Sequence, residues 1–217
     1  MPRVSRAEAE RHRQQVIEHT SRLVREKGAD QVSVPQAMAA AGLTHGGFYR
    51  HFASKDDLIV QALQAAFAER REALDRLAEA DSSGGSGRAE FLARYLSDVH
   101  RDNPAGGCAA AALAVDAARA EPGAPIRTAF TEGLDDLVDG FRQLGGSADS
   151  ADGTDSTDST DSADDRGTAL AELSTLVGAI LLARASDDPD LSHEILAAAR
   201  HHLGVVPAPD PTGAPRL

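Results

Sequence analysis

Between Thr44 and Lys55 the chain gathers hydrogen-bonding heads of several kinds: the Thr44 hydroxyl, the His45 and His51 imidazoles, the Tyr49 phenol, the Arg50 guanidinium and the Lys55 ammonium. Two glycines, Gly46 and Gly47, sit among them and let a backbone approach another surface closely. No phosphate loop, zinc pattern or nucleophile elbow accompanies the set. A dense array of neutral and cationic donors suits a polyanion whose edges also carry donors and acceptors. The chain's other reactive group is its one cysteine, Cys108, which follows Gly106-Gly107 near the expected start of a helix, where the dipole favours a thiolate. His100 lies upstream, but Pro104 and the glycine pair break any simple helical spacing between the two, so no nucleophile and base are specified. Catalytic residues, and hence an enzyme, are not expected.

The elements that must position Thr44–Lys55 are helical. Ser5 with Glu8 and Ser33 with Gln36 have capping-box spacing. Val16, Ile17, Thr20, Leu23 and Val24 trace one helix face that Gly28 should end in a left-handed conformation. Val34, Ala37, Met38 and Ala41 give the inward face of a second helix ending at Gly42. Thr44 is an expected N-cap for a short third helix and Ser54 for a long fourth one, Lys55 to about Ala80. Two short helices joined by a tight turn form a helix-turn-helix, whose second helix enters the DNA major groove. In that arrangement Thr44 and His45 reach base edges, Gly46 and Gly47 permit close approach, and Tyr49, His51 and Lys55 hold phosphates. Phe48 and Phe52 belong to the core. Arg3 and Arg6 are candidates for a minor-groove arm.

Gly42-Leu-Thr-His-Gly-Gly-Phe-Tyr-Arg-His-Phe-Ala-Ser-Lys55 resembles, almost residue for residue, the DNA-binding motif of TetR-family transcriptional regulators. The resemblance is specific over about residues 10–60. It implies three helices for DNA, a helical ligand-binding and dimerisation domain, and a four-helix bundle made with a partner's last two helices. It also implies base contacts at the positions of Thr44, His45 and Gly47, and phosphate contacts at Tyr49, His51 and Lys55. Gly107-Cys-Ala-Ala-Ala-Ala-Leu-Ala-Val-Asp-Ala-Ala-Arg119 and Val177-Gly-Ala-Ile-Leu-Leu-Ala-Arg184 resemble two helices of one branch of that family. In some regulators resembling this branch, a cysteine placed like Cys108 senses electrophiles or oxidants.

Charge divides along the chain. Of 22 basic and 34 acidic residues, residues 1–55 hold nine and five, leaving 13 and 29 for the remainder: +4 against −16. A local basic face is what phosphate neutralisation requires, and an acidic remainder keeps DNA at one end. One cysteine excludes an intrachain disulfide, and the charged N-terminus lacks a signal-peptide core, which together suggest the cytoplasm. No apolar run approaches a membrane span.

The expected organisation is all-α: a DNA-binding domain over 1–56 and a ligand-binding and dimerisation domain over 57–203. Further helices are expected at about 88–100, 104–120, 124–144, 168–185 and 189–203. Asp81–Gly87 reads as a flexible break, 146–166 as a disordered acidic loop, and 204–217 as a disordered tail. The aspartates from Asp149 to Asp164 lack the spacing and terminal Glu of a calcium loop, so no metal or cofactor is expected. Phe67, Phe91, Tyr95, Cys108 and Phe130 are the candidates for an effector pocket. Leu173, Leu176, Val177, Ile180 and Leu181, with Leu191, Ile195, Leu196 and Leu203, make about 168–203 the expected homodimer face. The expected activity is that of a repressor released from a palindromic operator by a small-molecule effector. The alternative is a ligand-binding or protein-interaction module that no longer reads DNA.

Overall fold

Residues 6–81, 87–145 and 159–205 are described by the computed structural model, and every regular element among them is helical. α1 spans Arg6–Lys27, buries Val16, Ile17, Thr20 and Val24, and is ended by Gly28 at φ 86°. α2 (Val34–Ala40) opens on the expected capping box: the Gln36 amide donates to Ser33 Oγ, and Gln36 Oε1 accepts the Ser33 amide at 2.9 Å. Gly42, at φ 71°, turns the chain into a 3₁₀ helix, His45–Arg50, the expected reading helix. α3 then runs unbroken from Lys55 to Asp81. Its cap is Ser54, whose Oγ accepts the Asp57 amide at 3.0 Å while Asp57 Oδ2 accepts the Ala53 amide at 2.9 Å.

The remaining elements are α4 (Gly87–Tyr95), α5 (Asp98–Asp102), a 3₁₀ turn (Pro104–Gly106), α6 (Ala109–Arg119), α7 (Pro125–Gly145), α8 (Ser159–Ala185) and α9 (Pro189–His202). Four expectations need correcting. The helix expected over 88–100 is broken at Ser97, which is extended and caps α5 by accepting the His100 amide. The helix expected from Pro104 begins only at Ala109, because Gly107 and Cys108 are extended. α8 starts at Ser159, inside the stretch expected to be an acidic loop. Arg166 pairs with Asp135 and, at 3.4 Å, with Asp139 of α7. Residues 1–5, 82–86, 146–158 and 206–217, which include Arg3, most of the expected break, the rest of the acidic stretch and the tail, lie outside the described residues.

The fourth correction concerns α8. Asp164–Ala185 is long and apolar enough, with a hydropathy of 1.4, to cross a membrane by composition alone. Its apolarity comes from two stripes. Ala169, Leu173, Leu176, Ile180 and Ala183 are buried in the chain's own core. Leu170, Val177 and Leu181, beside them at heptad-like spacing, are exposed or half-buried.

One buried apolar cluster extends from Val16 to Val205, and its broadest seam joins α3 to α7. The seam is set by a notch. A methyl group added at Gly133 would overlap the Phe67 ring, and one at Gly140 would meet Arg71 Cδ at 3.0 Å and Leu74 Cδ1 at 3.1 Å. Phe67 is held against this backbone by Phe130, edge to face at 5.6 Å. Replacing Gly133 by alanine should gain about 1 kcal/mol of helix propensity. Overpacking of this kind costs about 1–3 kcal/mol, and a ring fixed on both sides has little room to yield. Gly133→Ala should therefore lower the melting temperature by a few degrees in a thermal-unfolding experiment; an unchanged or raised value would show that α3 and α7 can move apart freely.

Candidate DNA-reading surface and ligand cavity

The reading helix is clamped on one side and open on the other. Phe48 and Phe52 are fully buried and stacked at 5.5 Å, with the Arg13 guanidinium 5.7 Å from the centre of the Phe52 ring. Thr44, His45, Gly46 and Arg50 are exposed, and Tyr49 is 77% exposed. Thr44 has the extended backbone of a cap, but its hydroxyl makes no capping bond, which corrects the expected capping role and leaves Oγ unengaged. A methyl group added at Gly46 would meet nothing within 4 Å, and one at Gly47 only Met38 Cε at an ordinary 3.7 Å. Neither glycine has a positive φ. Internal packing and backbone conformation therefore give no reason for two residues that weaken a helix.

Lys55 stands at the start of α3 with Nζ donating to the Asp30 carbonyl at 3.2 Å; two of its three donors remain. His51 is half-buried, and its pKa is lowered, first by desolvation and then by the positive neighbours His12, Arg13 and Arg50. It is thus a neutral donor at pH 7, a weaker phosphate partner than Lys55. Arg50, exposed at the end of the same helix, is a cation that the motif reading left unassigned.

The five candidate pocket residues fall into two groups. Phe67 and Phe130 face each other in the α3–α7 seam. Phe91 and Tyr95 line a cavity of about 560 Å³ between the second half of α3 and α4–α5, with Arg70, Leu77, Arg94 and His100. Cys108, the buried N-cap of α6, lies behind this wall. Tyr95 packs on Phe91 at 5.7 Å and edge-on to His100 at 4.5 Å. Burial, and after it the adjacent Cys108 thiol, push the Tyr95 pKa well above the usual phenol value.

Sequence spacing did not specify any relation between His100 and Cys108, yet the fold joins them. His100 Nδ1 donates to the Tyr95 carbonyl at 2.6 Å, and Nε2 accepts the Cys108 amide at 3.2 Å. Both bonds require a neutral ring with its proton on Nδ1, so His100 orients a backbone and is not poised to activate the thiol. Three arginines hold the same loop. Arg25 of α1 donates to the Gly107 carbonyl at 3.1 Å, Arg70 of α3 to that of Gly106 at 3.3 Å, and Arg184 of α8 to that of His100 at 2.6 Å. These contacts span 36 to 84 residues of sequence, and no local signal announces them.

Desolvation lowers the His100 pKa to about 4 from 6.5. The folded state therefore binds fewer protons than the unfolded state between those values, and His100 stabilises the fold above pH 6.5 and progressively less as pH falls. Between pH 7 and pH 5 the loss from this group should be about 2 kcal/mol. Urea unfolding at the two pH values should show it, and His100→Gln should remove most of that difference. An identical pH dependence in the variant would mean that His100 is not the group responsible.

Residues 16–62 match the sequence model of the tetR family of bacterial regulatory proteins. No curated protein is similar enough in sequence to match the chain. Among solved structures, E. coli NemR in its reduced form is similar with a TM-score of 0.69 at 18% identity, over 89% of this chain and 96% of NemR. A TetR transcriptional regulator from Legionella pneumophila gives 0.68 at 17% identity, over 94% of this chain and 98% of its own. A TetR-family regulator from Agrobacterium tumefaciens gives 0.66 at 17% identity, over 92% and 100%. At such identities these structures establish the fold, over nearly the whole of each chain. The family model covers the Thr44–Lys55 surface itself. Residues 16–62 are thus similar in sequence to the regulatory segment of the tetR family, and the chain as a whole has the fold of the TetR-family regulators it resembles.

Proposed function

We propose that this protein is a TetR-type transcriptional repressor that acts as a two-fold dimer in the cytoplasm, holds a palindromic operator, and is released by a small-molecule effector. Residues 1–56 form the reading unit in this proposal and 57–203 the effector and dimerisation unit. Thr44, His45, Gly46 and Gly47 meet base edges, and Tyr49, His51 and Lys55, with Arg50, meet phosphates. The single observation that carries the reading is the reading helix itself. Its aromatic side is clamped in the core, while the opposite side exposes donors and two glycines that the chain has no internal use for. An α-helix-wide ridge of this kind fits the major groove.

The dimer proposal rests on the outer stripe of α8 and on α9. Of the nine apolar residues expected at that interface, Leu173, Leu176, Ile180 and Leu196 are buried in the chain's own core. Leu181 and Leu191 remain exposed, Val177, Ile195 and Leu203 are half-buried, and Leu170 and Leu182 join them, the last at 59% exposure. Apolar side chains concentrated on two adjacent helices suit a partner surface. A two-fold pairing would place two reading helices about 34–36 Å apart, on successive major grooves.

Binding of the purified protein to duplexes from upstream of its own gene, across a salt series, tests the proposal. Saturable binding that survives competitor DNA, with a steep salt slope, is the expected outcome. Lys55→Gln should reduce the slope of log K against log salt by about 0.9 per half-site. Tyr49→Phe should leave the slope unchanged and weaken binding to every duplex equally, by about 0.5–1.5 kcal/mol per copy. Leu182→Glu should give a folded monomer in light scattering that no longer binds the operator. A folded wild-type dimer that binds no duplex at low salt would instead favour a ligand-binding module that does not read DNA.

A further inference from the structure

The cavity beside α4 has a chemical bias. Arg70, Arg76 and Arg94 line it against two carboxylates, Glu69 and Glu90. Glu69 is already paired with Arg25 at 2.9 Å, whereas Arg94 is exposed and makes no ion pair among the described residues. The apolar part of the wall is Ala73, Leu77 and Val99 with the exposed edges of Phe91 and Tyr95. Two polar groups of the wall are buried with no hydrogen-bond partner: Arg70 Nε and the Tyr95 hydroxyl. A guanidinium nitrogen left in this condition is unfavourable unless something outside the chain meets it. Nε and Nη2 together form the side-on fork that takes a carboxylate through two parallel bonds.

The same wall carries the ties between the cavity and α1. Arg70 Nη2 donates to the Gly106 carbonyl at 3.3 Å. Next to it on α3, Glu69 accepts from Arg25, whose other guanidinium nitrogen holds the adjacent Gly107 carbonyl. A carboxylate seated on the Arg70 fork competes for Nη2 and lies beside the Glu69 carboxylate, whose charge it repels. Both effects act on the contacts that fix α1, and α1 carries the reading unit.

We propose that this cavity takes an aromatic carboxylate, its charge on the Arg70 fork and its ring on Phe91 and Leu77, and that occupancy weakens DNA binding by loosening the Arg25–Glu69–Gly107 tie. The inference rests on the effector-responsive reading above and adds to it the effector's chemical class and the route of its action. The volume of about 560 Å³ admits a bicyclic ring system.

The test uses 1-naphthoate and its neutral counterpart 1-naphthamide with the full-length protein in calorimetry. The acid should bind about tenfold or more tightly than the amide, the factor a charge-assisted pair supplies. Arg70→Gln should bring the acid down to the level of the amide. Should that variant fail to fold, Arg94→Gln replaces an exposed side chain and should weaken the acid several-fold without affecting the amide. In a Tyr49→Phe background Tyr95 is the sole tyrosine of a chain without tryptophan, so quenching of its emission locates the probe in this cavity.

On an operator duplex, naphthoate should weaken DNA binding, and DNA should weaken naphthoate binding by the same factor. Glu69→Gln, at an exposed side chain, should shrink that factor towards one. Equal affinity for acid and amide, both quenching Tyr95, would overturn the anionic class while leaving a ligand-responsive regulator intact. Binding of neither overturns the proposal. Selective naphthoate binding with no effect on DNA, in a protein that binds its operator, overturns the route through Arg25. Operator binding measured without any probe decides the DNA-reading function separately.

Discussion

The guanidinium of Arg25 is cationic and only 5% exposed, so the fold around it must provide acceptors. Removing such a charge from water costs several kcal/mol unless its partners are well placed. Here they come from three directions: the Ser21 carbonyl of its own helix at 3.2 Å, the Gly107 carbonyl ahead of α6, and Glu69 of α3. Apolar contacts tolerate sliding, but this set fixes α1 against two other elements in both angle and register. The Ala29 amide, donating to Asp116 Oδ1 at 3.1 Å, adds a second directional tie at the end of α1. The position of the reading helix relative to the rest of the molecule follows from these few polar groups.

α3 extends that constraint over distance. Its 27 residues make a rod of about 40 Å at 1.5 Å per residue, with Lys55 at the end next to the 3₁₀ helix and Ala73 and Leu77 on the cavity wall. The rod is seated in α7 by Gly133 and Gly140, which bring the two backbones close enough for Phe67 to lie directly on one of them. A helix seated this tightly moves as a unit. In the proposed route, a change at the cavity would be expressed as a tilt of α3 and a shift in its ties to α1, without any refolding.

Local chemistry made the reading unit legible. Gly28, the Ser33–Gln36 box, Gly42 and Ser54 each mark a helix end by a residue acting on its own neighbours, and the structure places a helix end at each. The elements whose bounds differ from the sequence pattern depend on distant partners or on competing local signals. Apolar spacing continues through Leu92, Leu96 and Val99, so nothing in the pattern reveals that Ser97 caps a new helix there. The aspartates before Arg166 read as solvated chain, although Arg166 finds acidic partners on α7 that only the fold brings to it. The Gly106–Cys108 loop is extended because arginines from α1, α3 and α8 hold carbonyls in it or next to it, an arrangement only the fold creates. Aromatic content likewise says nothing about whether Phe67 seats a helix or lines a cavity.

Two regions of the molecule keep features that weaken the isolated chain. In the reading helix, Gly46 and Gly47 each lower helix stability by about 1 kcal/mol without meeting any steric or conformational need. On the cavity wall, Arg70 Nε and the Tyr95 hydroxyl are buried without partners, at about 1–3 kcal/mol for each unsatisfied group. The buried hydroxyls of Thr20 and Ser21 are in the same condition, and nothing in the structure accounts for them. Set against a typical domain stability of about 5–15 kcal/mol, these losses are large. The proposed reading supplies a compensation at two of these places through contacts with other molecules: a backbone approaching a groove at one end, and a cation meeting a ligand at the other. The Arg25 tie joins those two regions, which makes it the point at which one binding event can oppose the other.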